Sequence, residues 1–136
     1  MIRALLIFVF CCSVAMAAVK SPTDQPAIVF VRDDLVGHKP AFGEKIPQNT
    51  LQAVLYLNEP CGLPLIDTRG MHKYFSQWDL PQLGVACWFP TLDGGYTAVW
   101  RNGHSDHVDG DGFKYVFVKA MLHDDGSVTI LRGISE

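Results

Sequence analysis

Apolar residues along this chain come in short runs broken by turn-forming clusters, and most runs have the length of a strand. Residues 27–32 (AIVFVR), 71–78 (MHKYFSQW), 84–90 (GVACWFP), 96–101 (YTAVWR), 114–122 (KYVFVKAML) and 127–132 (SVTILR) are rich in β-branched and aromatic side chains. Such residues fit a pleated, half-buried surface. A further short strand is expected around residues 106–108. Between the runs, 91–95 (TLDGG), Asn102-Gly103 and 123–126 (HDDG) read as turns. One segment has a helical period. Asn49-Thr50 can cap a helix, Gln52 stands three residues after Asn49, Leu51, Val54 and Leu55 share one helical face, and Pro60 stops the run. Residues 33–48 contain Gly37, Pro40, Gly43 and Pro47 and read as a long irregular segment.

These elements predict a mainly β fold with a minor helical part. Six or seven strands form a small antiparallel sheet rolled toward a barrel or sandwich, with one short helix and no βαβ alternation. Asp93-Gly94 between two apolar runs is the strongest hairpin signal. A two-residue turn there sets Phe89 opposite Ala98 and Cys87 opposite Trp100. Cys87, Phe89, Ala98 and Trp100 then share one face, and Trp88, Thr97 and Val99 share the other. If the turn is Gly94-Gly95 instead, every pairing shifts.

The opening apolar stretch has a different meaning. Arg3 supplies a positive charge, residues 4–14 (ALLIFVFCCSV) are uninterruptedly apolar, and Ala15-Met16-Ala17 has the small-residue pattern of a cleavage site. Together these describe a secretory signal peptide over residues 1–17. The run is too short for a bilayer, which takes about 20 residues. A polar leader with two prolines follows over residues 18–26, and residues 27–136 form a single β-rich domain. The chain is therefore expected to be secreted or periplasmic, with no stable transmembrane anchor.

Removing residues 1–17 takes Cys11 and Cys12 with it and leaves Cys61 and Cys87. An even pair in an oxidising compartment predicts one disulfide. The formal charge of −3 offers no cationic excess for phosphates, so nucleic acid is not an expected partner.

The order Cys61-Gly62-Leu63-Pro64, then Gly84-Val85-Ala86-Cys87-Trp88, then Trp100-Arg101-Asn102-Gly103 resembles a pattern in small exported bacterial proteins. In those, Cys-x-Leu-Pro precedes Gly-Cys-Trp and then Trp-x-Asp-Gly. The resemblance covers roughly residues 60–117. This chain departs from it by two residues inserted between Gly84 and Cys87 and by Asn102 in place of Asp. The resemblance implies export, a Cys61–Cys87 bridge and a β fold, and it implies no catalytic activity.

Two groups of side chains are candidates for function. His104, Asp106, His107 and Asp109, with Asp111 close behind, place imidazoles and carboxylates within eight residues. Zn²⁺ would take the imidazoles with a carboxylate, and Ca²⁺ would take the oxygens. The competing reading is a solvated loop whose Asp and Gly residues make turns. Trp88 with Val99 would form an exposed apolar recognition surface on the unburied hairpin face, unless a helix or loop covers that face and makes Trp88 core. No Gly-x-Ser-x-Gly elbow or His-Glu-x-x-His motif is present. The function expected is non-catalytic binding or inhibition by an exported, disulfide-stapled domain. It needs no cofactor, and its partner is an extracytoplasmic protein, an envelope component or a small ligand. The alternatives are a structural or accessory envelope protein, and a small metal-dependent enzyme built on residues 104–111.

Overall fold

A computed structural model describes residues 24–64, 67–77 and 86–133. The proposed signal peptide and most of the leader lie outside the described residues, as do Trp78, Gly84 and Val85. Nine strands, β1 (Gln25–Val31), β2 (Lys45–Ile46), β3 (Leu51–Pro60), β4 (His72–Ser76), β5 (Ala86–Pro90), β6 (Tyr96–Trp100), β7 (Ser105–Val108), β8 (Phe117–Leu122) and β9 (Val128–Gly133), join in one sheet. Its order is β2-β9-β8-β1-β3-β4-β5-β6-β7, and every pairing is antiparallel. Helices are minor: a single turn, α1 (Asp33–Val36), and α2 (Gly110–Val116). The mainly β class therefore holds.

The sheet is rolled without closing. Tyr96 on β6 and Phe117 on β8 stand five strand spacings apart in the sheet order, about 24 Å in a flat sheet. Their ring centroids lie 5.4 Å apart. The face between them must curl on itself. The chain from β7 returns to β8 through α2, whose Phe113 packs on Tyr96 and Phe117 at 5.6 and 5.1 Å.

Two cores follow from strand alternation. One is aromatic: Ile28, Ala53, Leu55, Tyr74, Ala86, Trp88, Tyr96, Trp100, Phe113 and Phe117 form a buried cluster. The other is aliphatic, with Val29, Val31, Ile46, Leu51, Val54, Ala120, Leu122, Val128 and Ile130. Residues of β1 and β3 enter both clusters, so these central strands are covered on both faces.

That double burial explains the main correction to the sequence reading. The helix expected around residues 49–59 is the ten-residue strand β3, preceded by a short 3-10 turn at Gln48–Thr50. Five successive residues, Leu51 to Leu55, are buried. A strand buried on both faces reads as a continuous apolar run, and period alone does not separate it from a helix. The irregular 33–48 segment holds α1 and β2, and β1 begins within the expected leader, at Gln25.

The tight turns share one design. The loops Thr91–Gly95, Trp100–His104 and His123–Ser127 each close with two backbone hydrogen bonds between the same relative positions. Gly94, Gly103 and Gly126 have positive φ near 80°, where a Cβ would be strained. In each, the residue before that glycine uses its side-chain oxygen to accept from the amide two residues on: Asp93 from Gly95, Asn102 from His104, and Asp125 from Ser127. Asn102 thus keeps the acceptor that an aspartate would supply. These are three-residue hairpin loops with glycine in the left-handed position.

A three-residue loop displaces the expected pairing by one. Trp88 pairs with Ala98 and Cys87 with Val99, and Ala86 is the residue opposite Trp100. A one-residue change exchanges the faces of a whole strand. Trp100 therefore lies on the face opposite Cys87 instead of beside the disulfide, buried with Trp88. The disulfide itself is present: Cys61 and Cys87 are bonded, with Cα atoms 5.3 Å apart. It ties the end of β3 to β5, with β4 between them in the sheet. Among the described residues, no helix is long and apolar enough to cross a membrane.

Candidate ligand-binding site

The two groups expected from sequence are not assembled as sites. Trp88 is 6% exposed. Its indole N–H donates to the Tyr56 carbonyl oxygen at 2.9 Å, and its ring lies against His72 and edge-on to Tyr96. Val99, paired with Cys87, belongs to the opposite face. Trp88 is core, and the pair forms no joint surface.

The acidic and histidine-rich segment is divided by the same alternation. Asp106 pairs with Ala98 and His107 with Thr97, so the two point to opposite faces of β7. His104 Nε2 is 3.3 Å from Asp106 Oδ1, and its ring lies 5.2 Å from that of Trp100. The two ring nitrogens of His107 meet Thr97 Oγ1 at 3.1 Å and Asp93 Oδ2 at 2.8 Å. Asp109 accepts from the Gly112 amide at 2.7 Å and caps α2. Among the described residues, no three His, Cys, Asp or Glu side chains converge to hold a cation.

Asp93 is the electrostatic centre of the hairpin tip. Its carboxylate accepts from the Thr91 hydroxyl at 2.5 Å and the Gly95 amide at 3.1 Å and faces His107. These contacts, led by the Thr91 hydroxyl, pull its pKa down to about 2, because each favours the ionised form. The arrangement locks a turn.

The structure instead assembles a cleft of about 420 Å³ on the aromatic face. Its walls carry Phe30 of β1, Tyr74 of β4, Tyr96 of β6 and Phe117 of β8, with Val108 of β7 and Val116 of α2. Asp106 stands at its exposed margin, and Gln52 and Ala53 of β3 line it. The volume lies within the ~300–1,000 Å³ of small-molecule sites, which are mostly apolar with a few placed polar groups.

Gln52 is the unusual member. It is 2% exposed, yet neither Nε2 nor Oε1 has a hydrogen-bond partner. Each unpaired buried polar atom costs roughly 1–3 kcal/mol, so such groups are rare. A β-bulge places it. Phe30 pairs with Ala53 while Val31 pairs with Leu51, which leaves Gln52 as the extra residue. Leu51 and Val54 enter the aliphatic core and Ala53 and Leu55 the aromatic one, so alternation breaks at this residue. Bulges often re-aim a side chain beside a functional site. Sequence reasoning assigned Gln52 to a helix cap and missed it. The available signal was a lone polar residue inside the run 51–57 (LQAVLYL).

Compared with models of known families, with curated proteins and with solved structures, the chain matches none.

Proposed function

We propose that the chain is an exported binding protein that works without catalysis and holds a small ligand in the aromatic cleft. The observation that carries this reading is a cleft of about 420 Å³ walled by aromatic and aliphatic side chains, the volume and lining of a small-molecule site. The β-bulge at Gln52 stands beside it, as bulges often do beside functional sites. Export is supported by the charged, apolar and small-residue succession over residues 1–17. The Cys61–Cys87 bond supports it independently, because structural disulfides persist in oxidising compartments. The partner class narrows accordingly from an envelope protein to a small molecule met outside the cytoplasm.

The test uses the full-length chain expressed in a bacterium. Intact mass of the exported form should correspond to a chain beginning at Ala18. Titration with a fragment library, followed by amide chemical shifts, should move Phe30, Gln52, Tyr96 and Phe117 together. A fragment set that leaves these positions unmoved while shifting others would sink the cleft as the binding site.

A further inference from the structure

We infer that the chain has a second ligand site, a cationic cleft beside α2 that takes a flat apolar molecule with one carboxylate head. It shares only Phe117 with the aromatic cleft, and the inference stands without the reading of that cleft. Its volume is about 590 Å³, within the ~300–1,000 Å³ of small-molecule sites. Lys39 and Phe42 border it from the loop after α1, Lys114 and Tyr115 from α2, and Arg132 from β9. Val118, Ile130 and Leu131 add apolar surface.

The charges select the head. Arg32, Lys45, Arg69 and Lys73 each face a carboxylate. Lys39, Lys114 and Arg132 have no ion-pair partner among the described residues, and no acid lines the cleft with them. Asp33 borders only a narrow extension beyond Lys39 and Tyr115, so the head belongs at Lys114 and Arg132. Lys119 stands directly opposite Arg132 in the β8–β9 register. Like charges so placed are destabilising, and a bound anion relieves them. The Arg132 guanidinium is shaped to hold a carboxylate by two parallel hydrogen bonds.

The rings select the body. Phe42 and Tyr115 are 82% and 86% exposed, so their surfaces are open to a planar partner, against which aromatic groups pack. A polyanion is disfavoured, because the chain as a whole carries a formal charge of −3 and repels it outside the cleft.

The probes are 2-naphthoate and its neutral counterpart 2-naphthamide, followed by backbone amide shifts in the full chain. The acid should move Tyr115, Leu131 and Arg132 and bind about tenfold more tightly than the amide, the combined effect of two or three exposed ion pairs. Lys114→Gln with Arg132→Gln should abolish that preference. Phe42→Ser should weaken both probes alike. All three side chains are exposed, so the melting temperatures should stay at the parent value and show that the variants fold. Equal binding of acid and amide, or a preference that survives the double variant, overturns the inference. So does an acid that moves Phe30, Ala53 and Tyr74 instead, an outcome that would favour the aromatic cleft as the site. An acid that moves none of these positions overturns the cationic site and leaves the reading of the aromatic cleft standing.

Discussion

Gly110 abuts Asp93 so closely that a Cβ on the glycine would stand 2.2 Å from the Asp93 carbonyl oxygen. Gly95 meets the same strand end: its Cβ would lie 1.8 Å from the Val108 carbonyl oxygen. The β5–β6 turn and the start of α2 are therefore pressed backbone to backbone. The contact fixes the helix that supplies Val116 to the cleft.

Gly110→Ala should destabilise the protein by at least about 2 kcal/mol, because the obstructing atom is backbone and cannot rotate away. Gly62→Ala serves as the control: nothing lies within 4 Å of its Cβ position, and its φ is not in the left-handed range. Its effect should stay within about 0.5 kcal/mol. Urea unfolding of the two variants checks the contrast, and equal midpoints would contradict the close approach.

The Asp93 carboxylate should mark the acid limit of this turn. Its folded pKa is pulled down to about 2, below the ordinary carboxylate value. A depressed folded pKa contributes stability that is present above the unfolded value and lost as pH falls through the folded one. The window is therefore about pH 4 down to pH 2. The Gly95 amide proton, bonded to Asp93 Oδ1, should titrate with a midpoint near the lower end. Asp93→Asn should remove that step. A Gly95 midpoint at the upper end would show that the Thr91, Gly95 and His107 contacts do not hold the ionised form.

Trp88 was legible as a residue of consequence, but its role depended on a register that the sequence alone leaves ambiguous. Asp93-Gly94 signals a turn equally well whether the loop has two residues or three, and one residue exchanges the faces of the hairpin. The strands after Cys61 were legible because each has a solvent-facing side or a clear turn signal. β3 was not, since burial on both faces erased its alternation, and Gln52 was hidden with it. α2 was masked for another reason. Its cap, Asp109, and its first residues, Gly110-Asp111-Gly112, have the composition of a loop, and the helix is held by Phe113 against the aromatic core instead of by propensity.

Burial gives Trp88 a stability role that can be measured. Trp88→Ala should cost about 3–5 kcal/mol, the range for a large aromatic removed from a core. Val99→Ala, at a half-buried position, should cost under about 1.5 kcal/mol. Equal effects in thermal unfolding would place Trp88 outside the core.

The Cys61–Cys87 bond spans a sequence separation of 26 residues and restrains the loop between β3 and β4. It also fixes β5, which carries Trp88 into the aromatic cluster. Constraining a loop of that size removes roughly 3–4 kcal/mol of unfolded-chain entropy, a large part of the ~5–15 kcal/mol that holds a domain folded. Replacing both cysteines by alanine should lower unfolding stability by about that amount. The cleft is lined from β1, β3, β4, β6, β7, α2 and β8 and by neither cysteine, so probe binding in the surviving folded fraction should be retained. Denaturant unfolding gives the first quantity and amide shifts with a cleft-binding fragment the second. A double variant as stable as the parent would make the bond dispensable to the fold, and the case for an oxidising compartment would then rest on residues 1–17 alone.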